Sequence, residues 1–161
     1  MIMNQETAKR KMSRMALEII ERNGRSAELL LLGIQGNGYA MAKQIQSLLT
    51  AEHIQAEVGE LTIDKKDPVN ASAPASLHAD NRVILLIDDV ANSGRTMMYA
   101  LKPLMHARPK SIQTLALVER TYKQFPISLD YVGTSIATSA EEWIEVELKD
   151  GEMLEAYLRK D

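Results

Sequence analysis

The 161-residue chain contains no cysteine, which excludes disulfides, thiolate zinc centres and a cysteine nucleophile and accords with a reducing cytoplasm. Histidine is scarce: only His53, His78 and His106 could serve as imidazole ligands, and their spacing matches no metal motif. Neither sign of charge dominates. Lys and Arg number 19 against 22 Asp and Glu, so the formal net charge of -3 offers no global attraction for nucleic acid. Long apolar runs are also missing. The longest, residues 29–34 and 83–87, fall well short of the roughly 20 residues a membrane span needs, so no membrane partner is expected. The basic start, Lys9, Arg10, Lys11 and Arg14, is followed by Glu18 and Glu21 and runs into Ile19 and Ile20, so it reads as part of the fold rather than a targeting peptide.

What remains is a globular composition, 45% apolar and 25% charged. A chain of this size can bury about two thirds of its unfolded surface without a staple, and its length suits one domain over residues 1–161.

Along the chain, helical periodicity and continuous apolar runs alternate. Ala8, Met12, Met15, Ala16, Ile19 and Ile20 predict an amphipathic helix over residues 7–22, stopped by Asn23-Gly24. Residues 29–34 read as a strand covered on both faces, followed by Gly36 and Gly38 and a helix over 39–50. Val58, Leu61 and Ile63 suggest an irregular strand. Residues 64–81 form a long polar stretch with two readings, a lid or plain disorder. A second buried strand covers 83–87, a helix is expected over 96–105 with Pro109 fixing its exit, and Ile112, Leu115, Leu117 and Val118 make a third central strand. Ile144, Val146 and Leu148 alternate with glutamates, and Asp150-Gly151 is a turn signal before a returning strand from Met153. The expected class is α/β: a central, mostly parallel sheet flanked by helices, with a mobile loop and an antiparallel C-terminal addition.

The chemistry concentrates in residues 83–96. Asp88 and Asp89 end a buried strand, where ligands of open α/β sheets bind. After them Ala91, Asn92, Ser93, Gly94, Arg95 and Thr96 lead into a helix whose first N–H groups have no intrahelical partner, which makes an anion cradle. Two acids beside an anion site repel it, so they face sugar hydroxyls or a hydrated magnesium ion, and the combination implies a phosphorylated sugar. The plainer alternative is that both acids cap the following turn.

This string resembles the PRPP-binding motif of type I phosphoribosyltransferases: a hydrophobic strand, two acids, a hydrophobic residue, then a Ser-Gly-Arg-Thr turn. Within that family the chain looks most like the PyrR group, pyrimidine attenuation regulators with uracil phosphoribosyltransferase activity, through residues 16–23, 32–34, 58–63, 125–127, 130–133 and 136–139. The resemblance implies a Mg2+-dependent transfer of ribose 5-phosphate from PRPP to a nitrogenous base, a pyrimidine such as uracil being favoured, with release of pyrophosphate. It implies that Asp88 and Asp89 bind the ribose hydroxyls directly or through magnesium and that residues 91–96 hold the 5′-phosphate. Gln35, Gly36, Asn37 and Gly38 would bind pyrophosphate in a tight, often cis, turn, and Lys65 or Lys66 of the mobile loop would add charge on closure. A homo-oligomer, at least a dimer, in the cytoplasm is expected.

The chain departs from the PyrR pattern at several positions. Gly36-Asn37-Gly38 stands where relatives carry Thr-Arg-Gly, so the loop has no cation. Asn92 stands where relatives have an acid or an aromatic residue, and an amide is no general base at neutral pH. Glu119-Arg120-Thr121 replaces Asp-Arg-Gly near the expected base pocket.

Other readings are weaker. Gly36-Asn37-Gly38 has Met41 where a dinucleotide fingerprint needs glycine or alanine, and no nucleoside-triphosphatase loop exists. The main alternative is a PyrR-like regulator that senses PRPP or nucleotide and binds RNA through Lys9, Arg10, Lys11 and Arg14, although a solvated face is favoured for that cluster. Trp143 reads as a packing or subunit-contact residue, with base stacking as the alternative.

Overall fold

The computed structural model describes residues 1–149 and 153–161. Helix α1 (Gln5–Asn23) starts where the Asn4 carboxamide oxygen accepts the Thr7 N–H at 2.9 Å, and it stops where Gly24, at φ 79°, returns its N–H to Ile20. Strand β1 (Leu29–Ile34) is buried throughout, and α2 (Asn37–Ala51) carries the chain back to β2 (Ala56–Leu61). Then come β3 (Val83–Ala91), α3 (Arg95–Ala100), β4 (Ser111–Arg120) and β5 (Tyr131–Ile136). These five strands pair in parallel in the order β2-β1-β3-β4-β5.

Alternation decides which residues fill each face. Leu29, Leu31, Val83, Leu85, Ile87, Leu115 and Leu117 meet the buried faces of α1 and α2, while Leu30, Leu32, Ile84, Leu86 and Ala116 meet Met97, Ala100 and Leu104. The winding reverses between β1 and β3, and a crevice opens beyond their carboxyl ends, where such sheets bind ligands.

Several expectations change. The helix expected over 96–105 stops at Ala100 and continues only as a 3-10 turn, Lys102–Leu104, because Pro103 has no N–H to donate and its ring crowds the preceding turn. Strand β2 is regular and ends before Ile63. Strand β5 was not expected, since its Gly-Thr-Ser stretch is polar and only Tyr131 and Gly133 are fully covered. Residues 64–81 pack rather than stray: Thr62 and Ser72 exchange backbone bonds of 2.8 and 2.9 Å, Leu77 and Ala79 lie on the second core, and Lys102 Nζ donates to the Val69 carbonyl at 2.9 Å.

The C-terminal addition is the expected antiparallel pair, β6 (Glu142–Lys149) and β7 (Met153–Lys160); the Asp150-Gly151 turn lies outside the described residues. Ile144, Val146, Leu154 and Ala156 join the first core, and Met3 bridges to Ala156. Strand β6 thereby lies against β3, β4 and α2 at the ligand end of the sheet.

Candidate active site

Strands β1 and β3 run side by side to Gly33 and Ile87. Past β1 the chain turns through Gly36, at φ 90°, directly into α2, so Asn37 and Gly38 are already helical. All described peptide bonds are trans; the positive φ of Gly36, accessible to glycine without strain, makes the reversal in place of the expected cis turn. Gly38 is needed for closeness. A Cβ there would stand 2.7 Å from the Ile87 carbonyl oxygen and 3.2 Å from Asp88 Cα, so a side chain would hold α2 off β3.

Strand β3 delivers Asp88 and Asp89, only 2% and 4% exposed. Asp88 Oδ1 accepts the Asp89 N–H at 2.9 Å; Asp89 Oδ1 accepts the Val90 N–H at 2.9 Å, and its Oδ2 accepts Asn37 Nδ2 at 2.8 Å. Lys65 reaches in from the long loop, its Nζ 3.4 Å from Asp88 Oδ1 and 3.9 Å from Asp89 Oδ1. Burial, and then the charge of Asp89, push the Asp88 carboxyl well above the usual carboxylate range, against the pull of Lys65. Burial by itself would lower the Lys65 ammonium, but the two carboxylates outweigh it and hold its pKa above the usual lysine value. Lys66 is exposed, and its main-chain N–H donates to Asp64 Oδ1 at 2.9 Å; of the two candidates, the structure brings Lys65 to the acid pair.

The turn after β3 can offer main-chain N–H groups to an anion. Ala91 still belongs to the sheet, paired with Glu119, and forms the root of the turn. Gly94 sits at φ 86°, the left-handed region glycine favours, and the next helical bond runs from Met98 N–H to the Gly94 carbonyl. The N–H groups of Arg95, Thr96 and Met97 therefore precede the first intrahelical bond, and Ser93 Oγ takes only that of Arg95, at 3.3 Å. The Ser93 carbonyl accepts the N–H groups of Gln124 and Phe125 at 3.0 and 3.1 Å, which braces the turn from behind.

Acid pair, Lys65 and residues 90–97 line one cavity of about 270 Å³, closed on its other side by residues 143–146 of β6. Gln35 and Gly36 are exposed and do not line it; Asn37 touches it through Asp89. Sequence reasoning assigned none of these wall residues to the site, apart from the alternative of base stacking for Trp143; the alternation of Ile144 and Val146 with Trp143 and Glu145 marks a strand without telling where that strand lies. The Asn92 side chain turns to β6, donating to the Ile144 carbonyl and accepting the Ile144 N–H, both at 3.1 Å. Asn92 thus supplies its main chain to the turn while its amide is engaged elsewhere.

Arg120 is buried and structural: Nε donates to Thr138 Oγ1 at 2.5 Å and Nη2 to the Ser139 carbonyl at 2.6 Å, fixing the link into β6. Glu119 accepts from Lys123 Nζ at 2.8 Å and Ser135 Oγ at 2.9 Å; burial pulls its pKa up, but these donors outweigh it and leave it lowered. In the α1 cluster, Lys11 donates to the Gly133 carbonyl at 3.0 Å, and Arg14 to those of Val132 and Gly133 at 2.9 and 3.0 Å. Both side chains tie α1 to β5. Among the described residues no three His, Cys, Asp or Glu converge into a metal cage, and no helix is long and apolar enough to cross a membrane. Two carboxylates with waters and substrate oxygens suit magnesium, which seldom takes an all-protein cage.

The phosphoribosyl transferase domain family matches residues 1–150. The chain is 35% identical over 159 residues to the bifunctional protein PyrR of Herpetosiphon aurantiacus, covering 92% of this chain and 89% of that one, and 34% identical over 156 residues to that of Clostridium novyi, covering 90% and 88%. Among solved structures, the hypoxanthine phosphoribosyltransferase of Trypanosoma cruzi superposes with a TM-score of 0.77 at 14% identity over 100% of this chain and 97% of its own. The Staphylococcus aureus hypoxanthine phosphoribosyltransferase gives 0.74 at 13% identity, over 89% and 79%. With a family match across nearly the whole sequence, and relatives a third identical over most of both chains, this chain belongs to the phosphoribosyl transferase family.

Proposed function

We propose that residues 1–161 act as one cytoplasmic unit, at least a dimer, that moves ribose 5-phosphate from PRPP to a pyrimidine, uracil first among them, releasing pyrophosphate. The observation that carries this reading is the convergence of a buried acid pair and a glycine-turned, N–H-rich loop on a single cavity at the β1/β3 reversal. In it the N–H groups of Ser93, Gly94, Arg95 and Thr96, with the Ser93 and Thr96 hydroxyls, take the 5′-phosphate. Charge-assisted bonds contribute about 1.5 to 3 kcal/mol each, enough to offset desolvation of the anion. Asp88 and Asp89 take the ribose hydroxyls and would hold a magnesium ion. Bound there, the ion would supply positive charge for pyrophosphate oxygens, which the Gln35 to Gly38 segment lacks. As pyrophosphate departs, positive charge grows on the ribose; a carboxylate about 5 Å away at an effective dielectric near 20 stabilises it by about 3 kcal/mol. Lys65 must leave the acid pair for the sugar to approach, and it then stands free to meet pyrophosphate. With the Asn92 amide engaged by β6, the incoming base must lose its proton to water or another group.

A second reading, a PRPP- or nucleotide-sensing RNA regulator, draws support from the relatives named as bifunctional. The engagement of Lys11 and Arg14 with β5 leaves Lys9 and Arg10 as the cations of that helix open to phosphate. One experiment tests both: incubate the protein with magnesium, PRPP and uracil, orotate, adenine, guanine or hypoxanthine, measuring pyrophosphate release and PRPP binding. Release with uracil supports the transferase. PRPP binding without release, together with RNA binding that weakens steeply with salt, supports the regulator. Neither binding nor release by folded protein overturns both.

A further inference from the structure

The edge of β6 that does not pair with β7 is held by two asparagines, one in the first turn of α2 and one in the turn after β3. Asn92 closes a two-bond ring with the Ile144 main chain, Nδ2 to O and N to Oδ1 each at 3.1 Å, the reciprocal pattern a neighbouring strand would offer. Asn37 spends the two hydrogens of its amide nitrogen on two acceptors, Asp89 Oδ2 and the Val146 carbonyl, both at 2.8 Å. Ile144 and Val146 are two residues apart, so their carbonyls leave the strand on the same side. Residues 143–146 together line the cavity, and the Glu145 carboxylate accepts from Arg159 Nε of β7 at 2.7 Å.

We propose that Asn37 and Asn92 are positioning residues: together they fix the main chain of β6 over the acid pair and the anion turn, and so determine where Trp143 and Glu145 stand as the wall met by the incoming base. The proposal rests on the cavity being the transferase site. The carboxamide at position 92 both donates to and accepts from Ile144 in one plane; a carboxylate would turn an oxygen toward the Ile144 carbonyl. At position 37 the same nitrogen joins Asp89 to β6, so a change there disturbs the sugar-binding acid and the base wall together, whereas a change at 92 disturbs the wall first.

Trp143 is the only tryptophan and is 38% exposed, so its emission reports the position of β6 in the full chain. The test compares the parent with Asn92→Asp and Asn37→Ala. Without ligand, acrylamide should quench Trp143 more strongly in both variants than in the parent. With magnesium, PRPP and uracil, Asn92→Asp should raise the KM for uracil about tenfold, the size expected from losing a charge-free bond pair, and Asn37→Ala should raise the KM for uracil and for PRPP. Unchanged quenching and an unchanged uracil KM in folded Asn92→Asp overturn the proposal. Should that variant not fold, hydrogen exchange of the parent decides: a protected Ile144 amide supports the clamp, and an Ile144 amide exchanging at the unstructured rate overturns it. A parent that neither binds PRPP nor releases pyrophosphate defeats the transferase reading instead, and the ligand-free quenching still judges the clamp.

Discussion

Lys65 Nζ lies 3.4 Å from Asp88 Oδ1, joining the long loop to the end of β3 across 23 residues of sequence. The ammonium occupies the face of the acid pair that a hydrated cation and ribose hydroxyls would need. Binding there exchanges one positive partner for another.

Lys65→Ala should therefore lower the magnesium concentration needed for half-maximal PRPP binding about fivefold, the worth of one partly exposed ion pair, while turnover falls because the loop loses its charge for pyrophosphate. Calorimetric titration at several magnesium concentrations measures the first effect and pyrophosphate release the second. Chelation with EDTA should abolish release, and added magnesium should restore it.

Asp88→Asn should separate stability from activity. Removing one of two adjacent, buried, mutually repelling carboxylates stabilises the ligand-free protein by about 1 kcal/mol, raising Tm by about 2 to 4 °C. The same change should cut turnover about 100-fold through loss of about 3 kcal/mol of transition-state stabilisation. Thermal melts in EDTA and steady-state kinetics check the two arms; a lower Tm would contradict the account of the pair.

Gly94→Ala places a Cβ at φ 86° and 3.3 Å from Ile127 Cβ, so the turn must open to accept it. Left-handed strain of about 1 to 2 kcal/mol predicts PRPP binding weakened about tenfold with the sheet intact. Isothermal titration with PRPP and circular dichroism distinguish a lost cradle from lost fold.

Glu119 carries a pH prediction. Its folded pKa is lowered by the Lys123 and Ser135 donors despite burial, so its contribution is present above the unfolded carboxylate value and is lost as pH falls through the folded value. Glu119→Gln should be less stable than the parent by under about 1 kcal/mol at pH 7, and the two should converge as pH falls below the lowered folded value. Urea melts over a descending pH series give the comparison.

Much of the fold was legible because its signals are local. Continuous apolar runs marked β1, β3 and β4, since strands covered on both faces have no polar face to show. The Asp-Asp and Ser-Gly-Arg-Thr string located the buried acid pair and the glycine turn that line the cavity. Strand β5 shows little in sequence because an edge strand beneath a single helix needs few apolar residues, and α3 ends short of its helical pattern because Pro103 interrupts it. Lys65 and Lys66 stood as equals in sequence; only packing of the loop selected Lys65.

From the residues alone came the α/β class, the helices and buried strands, and the glycine turn after β3, each set by steric, periodic and hydrogen-bonding preferences over a few neighbours. Tertiary structure alone decided that β6 closes the cavity with Trp143 and Glu145, and that Asn37 and Asn92, 55 positions apart, hold it there. Such pairings depend on where distant main-chain carbonyls come to rest, and a carbonyl carries no mark in the sequence.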